Sequence, residues 1–167
     1  MNQQKQVVAL ILMGVMGSGK TTTAEKLASR LSWQYRDADE FHSEENKNKM
    51  RNGIALTDED RQPWLESISS FITKSLFANT PVIITCSALK KKYRELLRTN
   101  DEQIRSRIYI IHLKGSKELI KSRLDNRTGH FMNINLLDSQ FATLEDPKGE
   151  NNVIEIDIGQ EPDAIVD

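Results

Sequence analysis

Unbroken apolar blocks alternate along the chain with blocks whose apolar residues recur every three to four positions. Residues 7–13 (V-V-A-L-I-L-M) are continuously apolar, the pattern of a central parallel strand covered on both faces. In Lys20–Leu31, Ala24, Leu27, Ala28 and Leu31 fall at i, i+3, i+4 and i+7, which predicts one buried helix face. Residues 33–39 predict a short strand ending in carboxylates. Residues 43–52 are charged and stop at Gly53, which predicts a short exposed helix. Residues 57–79 form a long amphipathic stretch. Thr57 and Asp60 give it a capping-box-like start, and Trp64, Leu65, Ile68, Phe71, Ile72 and Leu76 supply its stripe. Pro63 is expected to kink that start or restart the helix.

The alternation continues. Residues 81–86 (P-V-I-I-T-C) predict a third strand, 89–98 a basic helix and 107–113 a fourth strand. Residues 116–127 predict a helix capped by Ser116, with Leu119, Ile120 and Leu124 inward. Residues 128–135 are polar and glycine-broken, so they predict a loop. Residues 135–144 predict a helix, 153–158 a fifth strand, and 162–167 the opening of another helix. Strands alternating with helices imply an α/β fold with a parallel sheet. No internal repeat interrupts the pattern. At about 150 residues per domain, 167 residues make one domain, 1–167.

Charge and composition narrow the function. Lys and Arg total 23 against 24 Asp and Glu, a net charge of −1, which argues against a nucleic-acid binder relying on a basic surface. A single cysteine excludes a disulfide framework. No run of eighteen apolar residues exists, so no membrane span is expected. The 7–13 block runs directly into glycines and a lysine, without a small-residue cleavage site. It reads as a buried strand rather than a signal peptide, and a soluble cytoplasmic protein is the expectation.

Between the first strand and the first helix lies Gly14-Val15-Met16-Gly17-Ser18-Gly19-Lys20-Thr21, which fits the P-loop pattern G-x-x-x-x-G-K-[ST]. Glycines let the backbone fold around phosphate with successive N–H groups inward, and the helix adds its positive dipole end. Lys20 is expected on the β- and γ-phosphates and the Thr21 hydroxyl on Mg²⁺, so ATP and Mg²⁺ are the expected cofactors. The strand–loop–helix context makes this far more specific than a lone glycine turn.

No N-K-x-D guanine signature appears, and the third strand ends Thr85-Cys86-Ser87 without the usual Walker B aspartate. The acidic residues stand instead at the end of the second strand, as Asp37-Ala38-Asp39. Carboxyl ends of strands face the ligand crevice in open α/β sheets. If the strand persists, the two side chains diverge, one toward the metal and one toward an acceptor hydroxyl. Phosphoryl transfer to an alcohol needs that division. Cys86 reads as a buried small hydrophobe, and Trp33 and Trp64 as core.

The segments D-A-D-E-F-H (37–42), G-I-A-L-T-D-E-D-R-Q-P-W-L (53–65), C-S-A-L-K (86–90), Tyr93-Arg94, G-H-F-M (129–132) and S-Q-F (139–141) closely resemble the gluconokinases of the shikimate-kinase-like P-loop group. The resemblance runs from about Leu10 to Ile158. It implies a three-layer P-loop kinase fold with a five-stranded parallel sheet, order 2-3-1-4-5. It also implies a helical substrate-binding segment near 40–65 and a lid near 126–135. The implied reaction is ATP-dependent phosphorylation of D-gluconate to 6-phosphogluconate, with gluconate as the partner, neither nucleic acid nor membrane, and a homodimer as in many family members. Another small-molecule P-loop kinase, of shikimate or nucleoside-monophosphate type, and a nucleotide-binding regulator without turnover stay open as alternatives.

By that resemblance Gly14, Val15, Met16, Gly17, Ser18, Gly19, Lys20 and Thr21 bind ATP. Asp39 positions or deprotonates the acceptor hydroxyl, and Asp37 stands on the metal side with Thr21. His42 is expected to hydrogen-bond gluconate hydroxyls and Arg61 to hold its carboxylate. Ser87 and Lys90 face the acceptor. Arg123 and Arg127 flank the lid, Arg123 toward the nucleotide and Arg127 toward the transferring phosphate, with His130 at the lid tip over the substrate. Two departures from the family stand out. Ala38 replaces the glycine of the common D-G-D, and residues 162–167 only begin a helix that relatives usually complete.

Overall fold

The computed structural model describes residues 7–99, 101–125 and 134–159. Five parallel strands form one sheet: β1 Ala9–Met13, β2 Gln34–Asp37, β3 Val82–Thr85, β4 Ile108–Lys114 and β5 Val153–Asp157. Their order is β2-β3-β1-β4-β5, the order the resemblance implies. β1 sits centrally, with Leu10 beside Ile83 of β3 and Tyr109 of β4. Its apolar run is continuous because both faces are covered. Ala9, Ile11 and Met13 join the core on one face. Leu12 packs on the other against α1, Lys20–Leu31.

The first face is closed by α3, Asp58–Phe77, which buries Leu65, Ile68, Ile72 and Leu76. Each such side chain contributes roughly 2 kcal/mol of transfer free energy. The capping box forms as expected: Asp60 N–H donates to Thr57 Oγ1 and Thr57 N–H to Asp60 Oδ2. Pro63 neither breaks nor restarts the helix, which is continuous from Asp58. Proline forfeits only the bond to the Glu59 carbonyl, and Glu59 is exposed to water at the helix start. At the end of α1, Leu31 is exposed, because Ser32 adopts a left-handed conformation and turns the chain away.

Three further helices are α2 Glu44–Arg51, α4 Lys91–Leu97 and α5 Glu102–Arg105. The last was not visible as periodicity, being a single turn capped by Asp101. α6 Lys117–Asp125 and α7 Ile134–Thr143 close the sheet near β5, burying Ile120, Leu124 and Leu137 with Val15. Residues 126–133 of the expected lid and the helix beginning at 162 lie outside the described residues, while 134 and 135 already belong to α7.

α4, expected as a basic helix over 89–98, exposes Lys91 and Lys92 but carries a buried hub at Arg94. Arg94 is fully buried and donates to the Ala88 and Glu145 carbonyls and to both carboxylate oxygens of Glu150. Arg98 also reaches Glu150, at 2.9 Å. Burial alone would raise the Glu150 carboxyl, but the two guanidiniums hold it below the usual range. The stability this carboxylate contributes is therefore present at neutral pH and lost as pH falls through the acid range. Arg94→Met should destabilise the fold by about 3–5 kcal/mol, because it leaves Glu150 to Arg98 alone and strands two carbonyls. Calorimetry should read a melting temperature lower by roughly 10 °C, and an unshifted transition would refute the hub.

Candidate active site

The P-loop lies where the sequence places it, between β1 and α1. Gly17 and Gly19 have φ of 78° and 92°, left-handed values that a side chain would strain. A Cβ on Gly14 would stand 2.5 Å from Ser18 Oγ and 3.0 Å from the Leu113 carbonyl, so the turn there closes only with glycine. Gly19 caps α1 without any side-chain hydrogen bond. The first N–H groups of a helix have no internal acceptor, so this terminus is open to an anion. Ser18 Oγ is buried with no partner in the loop. An uncapped helix start and an orphaned hydroxyl in one glycine loop fit a bound phosphate group.

Lys20 crosses the loop and donates to the carbonyls of Gly14 at 2.9 Å and Val15 at 3.1 Å. Burial lowers its pKa to about 8, and the nearby carboxylates of Asp37 and Asp39 oppose that shift. Phosphate oxygens are stronger acceptors than carbonyls and would restore the full ammonium. Cys86 itself is buried and pushed up to about 12 by that burial, an inert thiol.

The two aspartates do not diverge along a strand. β2 ends at Asp37, and a 3-10 turn, Ala38–Phe41, follows at once. A reciprocal capping box forces the change: Asp39 N–H donates to Asp37 Oδ1 at 2.9 Å, and Asp37 N–H to Glu40 Oε2 at 2.7 Å. Both carboxylates thus stay together, within electrostatic reach of Lys20. Loss of solvent raises the Asp39 pKa, and Asp37 raises it further, while Lys20 opposes. A raised carboxylate suits a group that must take a hydroxyl proton. Two carboxylates close enough for Asp37 to raise the proton affinity of Asp39 also suit a divalent cation. Ala38 is buried in this turn, so the family's glycine is dispensable.

The segment expected to bind the acceptor contains α2 and the start of α3. His42 is buried, not an exposed loop residue, and its ring stacks on Trp64 at 4.1 Å and 16°. Burial first, then Arg61 and Lys47, lower its pKa, so it is neutral at pH 7. Arg61 Nη1 donates to Tyr93 Oη at 3.0 Å, and that hydroxyl donates onward to Asp58. The Lys92 ammonium and Tyr93 together hold Asp58 well below the usual carboxylate range. Trp64 is only partly buried, so its reading as plain core is incomplete.

Three further expected site residues lie on other elements. Lys90 Nζ pairs with Asp58 at 3.5 Å and lies over the Tyr93 ring, lining a groove of about 1100 Å³ between α3 and α4. Ser87 sits on the β3–α4 loop, before Ala88 at φ 47°. Arg123 donates to the Ile158 carbonyl, which ties α6 to the end of β5. Arg127 and His130 lie outside the described residues. One contact carried no sequence signal beyond the S-Q-F segment: Met16 N–H of the P-loop donates to Gln140 Oε1 at 2.6 Å, anchoring the loop to α7. A second titratable cluster, His112 with Asp146 and Glu155, already holds its own cation. Lys114 Nζ lies 2.9 Å from Asp146 and 3.3 Å from Glu155.

Comparison with known proteins agrees with this geometry. Residues 10–147 match the family described as AAA domain. A probable gluconokinase of Dictyostelium discoideum is 45% identical, with 99% of this chain and 86% of that protein covered. A gluconokinase of Arabidopsis thaliana is 41% identical over 94% of this chain and 87% of that protein. The crystal structure of a gluconokinase from Sinorhizobium meliloti superposes with a TM-score of 0.83 at 39% identity, over 98% of this chain and 89% of the other.

The lowered Lys20 pKa makes nucleotide binding a proton-linked event. With a pKa of about 8 before binding, titration at pH 8 should take up about half a proton per nucleoside triphosphate, falling toward zero at pH 6.5. Calorimetry in buffers of differing ionisation enthalpy reads that number. Lys20→Met should abolish it, and uptake that persists in the variant would remove Lys20 from the phosphate site.

Proposed function

The chain belongs to the gluconokinase family of P-loop kinases, and on that premise we propose that it transfers the γ-phosphoryl group of ATP to D-gluconate, giving 6-phosphogluconate. The observation that carries this reading is the pairing of Asp37 and Asp39 beside Lys20 at the mouth of an uncapped P-loop helix. A nucleotide-binding regulator without turnover has no use for a carboxylate tuned to accept a proton there.

Each residue takes a role its surroundings support. The P-loop N–H groups and Lys20 hold the phosphates, Lys20 exchanging the Gly14 and Val15 carbonyls for phosphate oxygens. Thr21 and the free oxygen of Asp37 would hold Mg²⁺, which neutralises phosphate charge when bound. Asp39 accepts the acceptor hydroxyl proton as the oxygen attacks. Arg61 keeps guanidinium donors beyond the one given to Tyr93, and these are the proposed grip on the gluconate carboxylate. His42 offers a neutral donor to a hydroxyl. The segment 40–65 is thus the proposed acceptor-binding part of one kinase domain, with Arg127 and His130 of the 126–135 segment closing over it. Ser87, Lys90 and Arg123 stand as supporting positions nearby. No described helix is long and apolar enough to cross a membrane. A cytoplasmic location and a homodimer accompany the proposal by family likeness.

An acceptor panel tests it. ADP release measured with gluconate, shikimate, nucleoside monophosphates and no acceptor should be strong with gluconate alone. Faster turnover with another acceptor would reassign the substrate, and none with any acceptor would leave a binding protein. Lys20→Met should lower turnover by roughly 100-fold or more with the fold intact, since it removes a transition-state contact. Arg61→Ala should raise the KM for gluconate by at least about tenfold and leave that for ATP within about twofold, as loss of a charge-assisted pair requires. Equal changes in both constants would place the carboxylate grip elsewhere.

A further inference from the structure

We infer that Trp64 is a positioning residue for acceptor phosphorylation, its indole N–H fixing the Ala38–Asp39 peptide and its ring face fixing His42. The inference rests on the reading of residues 37–61 as the acceptor side of the site.

Trp64 follows Arg61 by three positions on α3, so the two side chains rise from neighbouring points of one helix surface. Trp64 Nε1–H donates to the Ala38 carbonyl at 2.7 Å. The N–H of that same peptide unit belongs to Asp39 and donates to Asp37 Oδ1 at 2.9 Å. A peptide unit is planar, so holding its carbonyl from one side and its N–H from the other fixes its orientation. The Cα of Asp39 is the next atom along that plane. Trp64 therefore ties the carboxylate proposed to receive the proton to the helix that carries Arg61, across 26 residues of chain.

The ring face does separate work. Its stacking on His42 covers one side of the imidazole. Asn46 sets the rest: its Nδ2 donates to the Asp60 carbonyl at 2.8 Å, which fixes the amide orientation. The same Nδ2 lies 3.5 Å from His42 Nδ1. Since Nδ2 can only donate, Nδ1 is the acceptor and the ring proton sits on Nε2. Among the described residues no partner takes Nε2. The stack and the amide together hold an N–H donor in one orientation, which a polyol hydroxyl can accept without first ordering the ring.

Two substitutions separate the two contacts. Trp64→Phe keeps a ring on His42 and loses the N–H; it should lower kcat by about fivefold, the worth of one hydrogen bond, with both KM values within about twofold. Trp64→Leu loses both contacts and should also raise the KM for gluconate about tenfold, with that for ATP unchanged. In a His42→Ala background the Leu substitution should raise that KM no further. Normal kcat in the Phe variant, equal shifts in the two KM values, or an undiminished Leu effect without His42 would each overturn the inference. A parent protein that releases no ADP with gluconate would instead overturn the proposed function. Nitrogen-15 spectra of the His42 ring then decide the inference without substrate. They should show one sharp set of ring resonances in the parent and shifted, exchange-broadened ones in Trp64→Leu, and identical spectra would refute the positioning role.

Discussion

Among the described residues no side chain caps the first N–H groups of α1, and the architecture is arranged around that deficit. A helix start usually recruits a serine, threonine or aspartate cap. Here Gly19 stands at the cap with no side chain to offer. The omission is destabilising in isolation and becomes favourable once an anion arrives. Neighbouring groups share the condition. Ser18 Oγ is buried without a partner, and Lys20 is held on two carbonyls with its ammonium partly discouraged by burial. Central placement of β1 keeps this loop rigid, because both flanking strands and both sheet faces hold it. Gln140 adds a tie from α7.

Opposite that anion site stands a second device, the capping box of Asp37 and Glu40. It does two things with one side chain. One oxygen of Asp37 closes the turn that carries Asp39, and the other takes no part in that bond. Placement of the proposed proton acceptor and of the proposed metal carboxylate is therefore one structural event. The α3 start uses the same logic, since its Thr57–Asp60 box leaves Asp60 Oδ1 to pair with Lys49 of α2 at 2.9 Å. A capping box thus also joins α3 to α2.

Much of this was legible from residue order. Apolar runs and helical stripes located every strand and all but one of the described helices, because both patterns are dictated by what each face touches. The P-loop was legible because its glycines answer a local backbone demand. Three features were not. The aspartates look like a strand end, and only the reciprocal capping box, a matter of Glu40 as much as Asp37, shows that the strand stops between them. Lys90–Lys92 and Arg94 read as a basic face, yet Arg94 is a buried hub whose Glu150 partner lies 56 residues away. Lys90 answers Asp58 on α3. Long-range charge pairing leaves no periodic trace, so its partners emerge only in three dimensions. Trp64 illustrates the same limit: an aromatic in a helical stripe reads as core, while its N–H is spent on a peptide of the site.

A kinase of this size must position two substrates with few residues, and the contacts show how that economy works. Arg61, Trp64 and the Thr57–Asp60 cap lie within two turns of one helix. Pro63 sits among them without breaking the helix, on its solvent side. The buried residues Leu65, Ile68, Ile72 and Leu76 continue the same helix into the sheet. Any tilt of α3 would move the arginine, the histidine stack and the Ala38 carbonyl together. Coupling of this kind trades independent adjustment for shared rigidity, which is what a site acting through orientation and charge placement requires. The α3 packing thereby reaches the candidate site, since four apolar side chains hold the frame to which Trp64 ties the Ala38–Asp39 peptide.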